Sequence, residues 1–211
     1  TPYFRMMKHV AGSGRLGEIV SIQHLEPVEH IHMSHSFVRG NWRNEAESTP
    51  MLLSKSCHDL DILRWIIGRS CTRVQSFGSL RLFRKEMAPA GAPARCADGC
   101  PVEADCPFSA LEIYLHRKTW LGHKDTPGTD DGSIREWLAR TNYGRCVYRS
   151  DNDVVDNQVV NMEFGPVSAS FAMEGLTSYG GRRTRIMGTR GDLVGDEERL
   201  DVFDFYEKTR Y

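Results

Sequence analysis

The sequence has no apolar run that approaches the eighteen or so residues a membrane-spanning helix needs. Its start is polar and basic and lacks the apolar core of a secretory signal. Net charge is nearly absent: 27 Lys and Arg stand against 28 Asp and Glu. That balance argues against a nucleic-acid surface as the main function. Cysteines are few, six in 211 residues, and unevenly spread. This speaks against a disulfide scaffold and for a cytoplasmic protein with a candidate metal site. Core-forming residues are plentiful, at 40% hydrophobic and 26% charged, so general disorder is excluded. The length suits one large domain or two small ones. No initiator Met precedes Thr1, and strand-like text runs to Tyr211, so the sequence reads as a piece of a longer protein.

The stretch "GSGRLGEIV" fits G-x-G-x-x-G at Gly12, Gly14 and Gly17. A dinucleotide turn needs a strand before the glycines and a helix after them. Here the order is inverted. Pro2, Phe4, Met7 and Val10 or Ala11 predict a helix over Pro2 to Ala11. The β-branched run after Gly17 predicts a strand over Glu18 to Glu26. The acidic residue expected about twenty positions on is missing. The glycines therefore read as a helix-to-strand turn, and no residue is assigned to cofactor binding.

Further on, Thr49 caps a predicted helix from Pro50 to Ile67, stopped at Gly68. "TRVQSFGSLRLF" reads as strand. Residues 84–107 form a Cys-, Pro- and Gly-rich insert. A helix is expected from Pro107 to His116, a loop over "GHKDTPGTDDG", and a short helix from Ser133 to Arg140. The final third is strand-rich: "CVYRSD", "VVDNQVVNMEF", "VSASFAMEG", "RTRIMGT", "DLVGD" and "RLDVFDFY". Helices followed by hairpin-like strands predict an α+β fold, with a mainly antiparallel sheet and helices on one face.

In "MLLSKSCHDLDILRWIIG", helical spacing predicts a buried stripe of Leu53, Cys57, Leu60, Leu63 or Arg64, and Ile67. Lys55, His58 and Asp61 step by three and share another face. A cation, an imidazole and a carboxylate within a turn and a half can carry out proton transfer. A solvated charge network would use the same residues.

A histidine-rich loop, "HIHMSHSFVRGNWRNEAEST", is expected after the first strand, and it holds His30, His32, His35, Arg39, Asn41 and Trp42. Polar forks with aromatic faces suit sugar hydroxyls and C–H surfaces, so His32, His35, Arg39, Asn41 and Trp42 are candidate substrate contacts. A plain surface loop, or a metal held by His32, His35 and His58, would use the same text. Asp156 could face the cleft, or lie on a solvated sheet face. "GGRRTR", Gly180 to Arg185, could bind an anion or be a charged strand end. Cys96, Cys100 and Cys106 lie at C-x3-C-x5-C, with Cys146 further on. Such a set could hold a structural zinc ion, or be free thiols.

"SGRLGEIVSIQ", "SKSCHDLDILRWIIG" and "RIMGTRGDLVGD" resemble the C-terminal domain of the glucose–fructose oxidoreductase / inositol dehydrogenase / MocA family, and the resemblance runs through nearly the whole chain. It implies an open, twisted, mainly antiparallel sheet like that of the dihydrodipicolinate reductase C-terminal domain. It implies NAD or NADP held mainly by a Rossmann domain upstream of Thr1. His58, supported by Lys55 and Asp61, would pass a proton to or from a sugar or cyclitol hydroxyl beside hydride transfer. Many members have D-x-G-x-H where Ser54, Ser56 and His58 stand here, and Lys55 is the candidate substitute for the missing Asp. The resemblance also implies a homo-oligomer joined through the sheet face. An NAD-dependent glycosidase of the same lineage and a non-catalytic sugar-binding or scaffold domain are the competing expectations.

Overall fold

The computed structural model describes residues 1–121 and 127–211. Residues 122–126 of the expected loop "GHKDTPGTDDG" lie outside the described residues. The chain forms two compact units: 1–28, 55–79 and 157–211 make the first, and 29–54 and 80–156 the second. Among the described residues no helix is long and apolar enough to cross a membrane.

The first unit is an eight-stranded sheet with two helices. Its elements are α1 (Pro2–Gly12), β1 (Ile19–Pro27), α2 (Cys57–Ile67), β2 (Arg73–Ser79), β3 (Asn157–Phe164), β4 (Val167–Glu174), β5 (Arg183–Gly188), β6 (Gly191–Gly195), β7 (Leu200–Asp204) and β8 (Thr209–Arg210). The strand order is β2-β3-β4-β1-β5-β6-β7-β8. Only β1 and β4 run parallel, and every other neighbouring pair is antiparallel. The α+β class holds. Alternation sorts the sheet into two faces. Ile22, Val160, Met162, Phe171, Met173 and Ile186 are buried, on the side where Met7 of α1 and Leu63 and Ile66 of α2 also lose solvent. Phe77, Val159 and Val194 remain exposed at 65%, 41% and 41%. Val159 pairs with Phe77, and Val194 pairs with Arg185.

The glycine motif is the turn from α1 into β1. Gly17 has φ +68°, and a Cβ there would collide with the Thr189 hydroxyl. An L-residue held in that region costs about 1–2 kcal/mol. Gly17→Ala is therefore expected to lower unfolding free energy by at least about 1 kcal/mol, read as an earlier denaturant midpoint at unchanged slope.

The predicted helix over 50–67 is broken. A single turn, Met51–Ser54, belongs to the second unit, and α2 begins at Cys57. Thr49 does not cap it, since its hydroxyl oxygen has no partner among the described residues. The inward face of α2 is Asp59, Leu63 and Ile66. Leu53 and Cys57, placed in the stripe from spacing, are exposed.

The second unit is helical where a loop was expected. Glu29, at φ +73°, accepts from the N–H groups of Ile31 and His32. The turn His30–His32 runs on into a π-helical segment, Met33–Arg39. This side-chain cap closes the first turn and hides the helix from a reading by periodicity. The helix expected over 107–116 is a π-helical turn at Leu111–His116. "CVYRSD" is not a strand; the residue just before it, Arg145, forms an isolated bridge with Arg95. A third helix, α3 (Asp131–Arg140), packs Ile134 and Leu138 against Ile113, Tyr114 and Leu115.

Candidate active site

The site of the first unit lies on α2 and beneath it. Ile22, His24 and Glu26 alternate on β1, so two polar residues share the buried face with an apolar one. Asp59, 0% exposed, enters the same face from α2. His24 Nε2 donates to Asp59 Oδ1 at 2.9 Å, and His24 Nδ1 lies 2.7 Å from Thr184 Oγ1. Thr184 is the cross-strand partner of His24, so the sheet register sets that contact.

Arg182, just ahead of β5, closes the network. Its Nε donates to Asp59 Oδ1 at 2.5 Å and lies 3.0 Å from Glu26 Oε2. Its Nη1 reaches Glu197 Oε1 at 3.2 Å. Lys55 Nζ sits 2.9 Å from Glu26 Oε1. Burial alone would raise the Asp59 pKa, but hydrogen bonds from His24 and Arg182 win and hold it below the ordinary value. Burial pushes Glu26 up, against the pull of Lys55 and Arg182. Burial disfavours the charge on Arg182, yet Asp59, Glu26 and Glu197 hold its pKa above the usual guanidinium value. Such a dry, paired network is costly to break from one side.

Above the network, His58 and Asp61 face outward. They line a groove of about 520 Å³ with Phe4, Ile62, Trp65 and Arg182, and Thr1 forms part of its wall. Lys55 is not in that wall. It stands in the turn before α2, with its ammonium on Glu26 rather than beside the imidazole. The network residues His24, Glu26 and Asp59 were missed from the sequence, whereas Arg182 lies in "GGRRTR", read as an anion site or a charged strand end, and its anions are the carboxylates of Glu26, Asp59 and Glu197. The readable signal was the alternation Ile22, His24, Glu26, together with Asp59 at helical spacing from Leu63 and Ile66.

The candidate substrate residues belong to the second unit and separate into two groups. His35, Arg39 and Asp156 are interior. His35 Nδ1 lies 2.8 Å from the Tyr114 Oη hydroxyl, and the ring stacks on Trp120 and Tyr143. Arg39 donates to the carbonyls of Arg145 and Phe108. Asp156, 0% exposed, accepts from the N–H groups of Arg81 and Leu82, so it lies neither on a cleft wall nor on a solvated sheet face. His32 is half-buried and packs against Trp120. Asn41 and Trp42 are exposed. Cys96, Cys100, Cys106 and Cys146 are free thiols that line one pocket of this unit. Among the described residues, no group of three or more His, Cys, Asp and Glu is drawn together to hold a metal ion.

Residues 10–207 match the Gfo/Idh/MocA C-terminal model, described as "Oxidoreductase family, C-terminal alpha/beta domain". The chain is similar to YteT of Bacillus subtilis (strain 168), a protein named as an oxidoreductase, at 22% identity over 214 residues. The match covers 100% of this chain and 47% of YteT. Among solved structures, levoglucosan dehydrogenase in complex with NADH and L-sorbose is similar in fold, with TM-score 0.60 at 15% identity, covering 100% of this chain and 42% of that one. An oxidoreductase domain protein from Kribbella flavida gives TM-score 0.57 at 16% identity, covering 100% and 44%. The super-repressor mutant of Gal80p from Saccharomyces cerevisiae gives 0.55 at 15%, covering 100% and 43%. The chain thus spans about half the length of each.

Proposed function

Because the chain belongs to the Gfo/Idh/MocA oxidoreductase family, as its C-terminal alpha/beta domain, we propose that it is the substrate-binding part of an NAD(P)-dependent oxidoreductase acting on a sugar-like or cyclitol-like polyol. One observation carries this reading: His58 and Asp61 lie in an open groove whose other walls include both apolar and charged groups. Phe4, Ile62 and Trp65 suit a nicotinamide ring, while His58, Asp61 and Arg182 suit hydroxyls. NAD or NADP, held mainly by a preceding domain, supplies the hydride acceptor. Thr1 lies at the same groove, so a domain attached there covers His58.

His58 takes the hydroxyl proton of the substrate as the adjoining carbon gives up its hydride. In the reverse direction it returns the proton. Asp61, one turn along α2, orients the ring or the substrate. Lys55 acts as a positioning residue through Glu26. Asn41, Trp42 and His32 remain the substrate-contact candidates of the second unit, since His35, Arg39 and Asp156 are engaged in its interior. The open sheet face, on which Phe77 and Val159 form an exposed apolar pair and Val194 a separate exposed position, joins copies of the chain, because exposed apolar surface favours association. Sedimentation at the mass of a single chain would overturn that part.

The test is turnover by the full-length protein, offered NAD or NADP with a panel of polyols and glycosides. Net formation of reduced dinucleotide with a polyol is expected. Sugar released from a glycoside without net NADH would replace this reading by a glycosidase, and no reaction with any member of the panel would count against both.

A further inference from the structure

Four thiols of the second unit surround one small void. Cys96, Cys100, Cys106 and Cys146 line a pocket with an interior of about 10 Å³, room for roughly one water-sized sphere. The other walls are largely apolar, including Pro89, Ala92, Val102 and Phe108. The four come from three places in the unit. Cys96 and Cys146 flank the Arg95–Arg145 bridge: the Cys96 N–H donates to Gly144 at 3.1 Å, and the Cys146 N–H to Ala94 at 2.9 Å. Side chains alternate along a ladder, so both thiols leave on the side opposite Arg95 and Arg145. Cys100 precedes the short turn Glu103–Asp105, and Cys106 follows it.

A second observation bears on the same place. Arg39 is 1% exposed. Its Nε donates to the Arg145 carbonyl at 2.8 Å, its Nη2 to the Phe108 carbonyl at 2.7 Å, and Nη2 also lies 3.7 Å from Cys96 Sγ. Its Nη1 is buried without a hydrogen-bond partner among the described residues. A guanidinium does not lose its proton in a protein. Carbonyls and a thiol satisfy some of its donors but none supplies an anion, and a buried charge without a counter-charge is strongly unfavourable.

We propose that Cys96, Cys100, Cys106 and Cys146 bind one soft divalent cation, zinc, as a structural tetrathiolate site, with Arg39 as its buried counter-charge. Four thiols release four protons as four sulfur–metal bonds form, and the resulting centre carries two negative charges beside the guanidinium. The four thiols line the pocket but, among the described residues, are not drawn together as a metal-holding group. Each has three staggered positions, and the ion selects those that point inward. Four protein ligands leave no open coordination position, so the site is structural and separate from the chemistry at His58. Its role is to clamp residues 84–107, whose helical structure is limited to the single turns Lys85–Met87 and Glu103–Asp105, since metal binding free energy is folding free energy for such a segment.

The test is metal analysis of full-length protein purified under reducing conditions, with cobalt(II) titration of the metal-stripped protein. About one zinc per chain is expected, falling below about a fifth of that in Cys106→Ser. Cobalt should give a thiolate-to-metal charge-transfer band that saturates near one equivalent. Wild-type protein that holds less than about a fifth of an equivalent and gives no band overturns the proposal. Zinc retained at full level in Cys106→Ser overturns it too. Should that variant fail to fold, the cobalt titration of wild type decides alone.

Discussion

Replacing His58 by Ala in the full-length protein is expected to lower kcat about 10²–10⁴-fold, with the dissociation constant for NAD(P) and the melting temperature unchanged. The stability half of this expectation rests on exposure. His58 lies on the outer side of α2, while Asp59, Leu63 and Ile66 make its buried contacts. The rate half rests on the groove, which His58 lines together with Asp61, Phe4 and Trp65. A loss near the lower figure would mean that Asp61 or water takes over the proton. Unchanged turnover would favour a scaffold that kept the fold.

Asp59→Ala is expected to cost about 3 kcal/mol, the lower end of the range for breaking one side of a buried ion pair. The lower end applies because Arg182 keeps Glu26 and Glu197, whereas His24 Nε2 is left without its acceptor. For a chain of this size the shift in melting temperature is roughly 6–12 °C. The pH dependence has a definite sign. The folded pKa of Asp59 is depressed, so its contribution is present above the unfolded value of about 3.9. It is lost as pH falls through the folded value. Glu26 is pushed the other way: what it contributes is present below its unfolded pKa and lost as pH rises through the folded one. Subtracting the Asp59→Asn stability curve from wild type, by urea unfolding at each pH, isolates the Asp59 part. That difference should shrink below about pH 4. A difference that is flat or grows on acidification would contradict the ion-pair account.

The parts of the fold that were legible are those set by local pattern. Pro2, Phe4 and Met7 mark α1, and alternation marks β1 and β3 to β7, because a helix face or a pleated strand repeats at a fixed period. The misread parts are those set by a distant or single contact. The segment from His30 to Arg39 is helical because one carboxylate, Glu29, caps it. Asp59 occupies an inward position that hydropathy assigns to a leucine, because His24 from the middle of β1 and Arg182 from just ahead of β5 pair with it. His58 and Asp61 could be paired from spacing alone. The network below them could not, since its members come from β1, the turn before α2, α2 itself, the residue ahead of β5, and the β6–β7 turn.

The most direct measurement of the central claim is the pH dependence of kcat/KM for the full-length protein, taken side by side for wild type and His58→Ala. If the imidazole in the groove carries the substrate proton, wild type shows a protonation limb that the variant lacks, and added imidazole restores part of the variant's rate. Superimposable profiles, with no response to imidazole, would contradict the account.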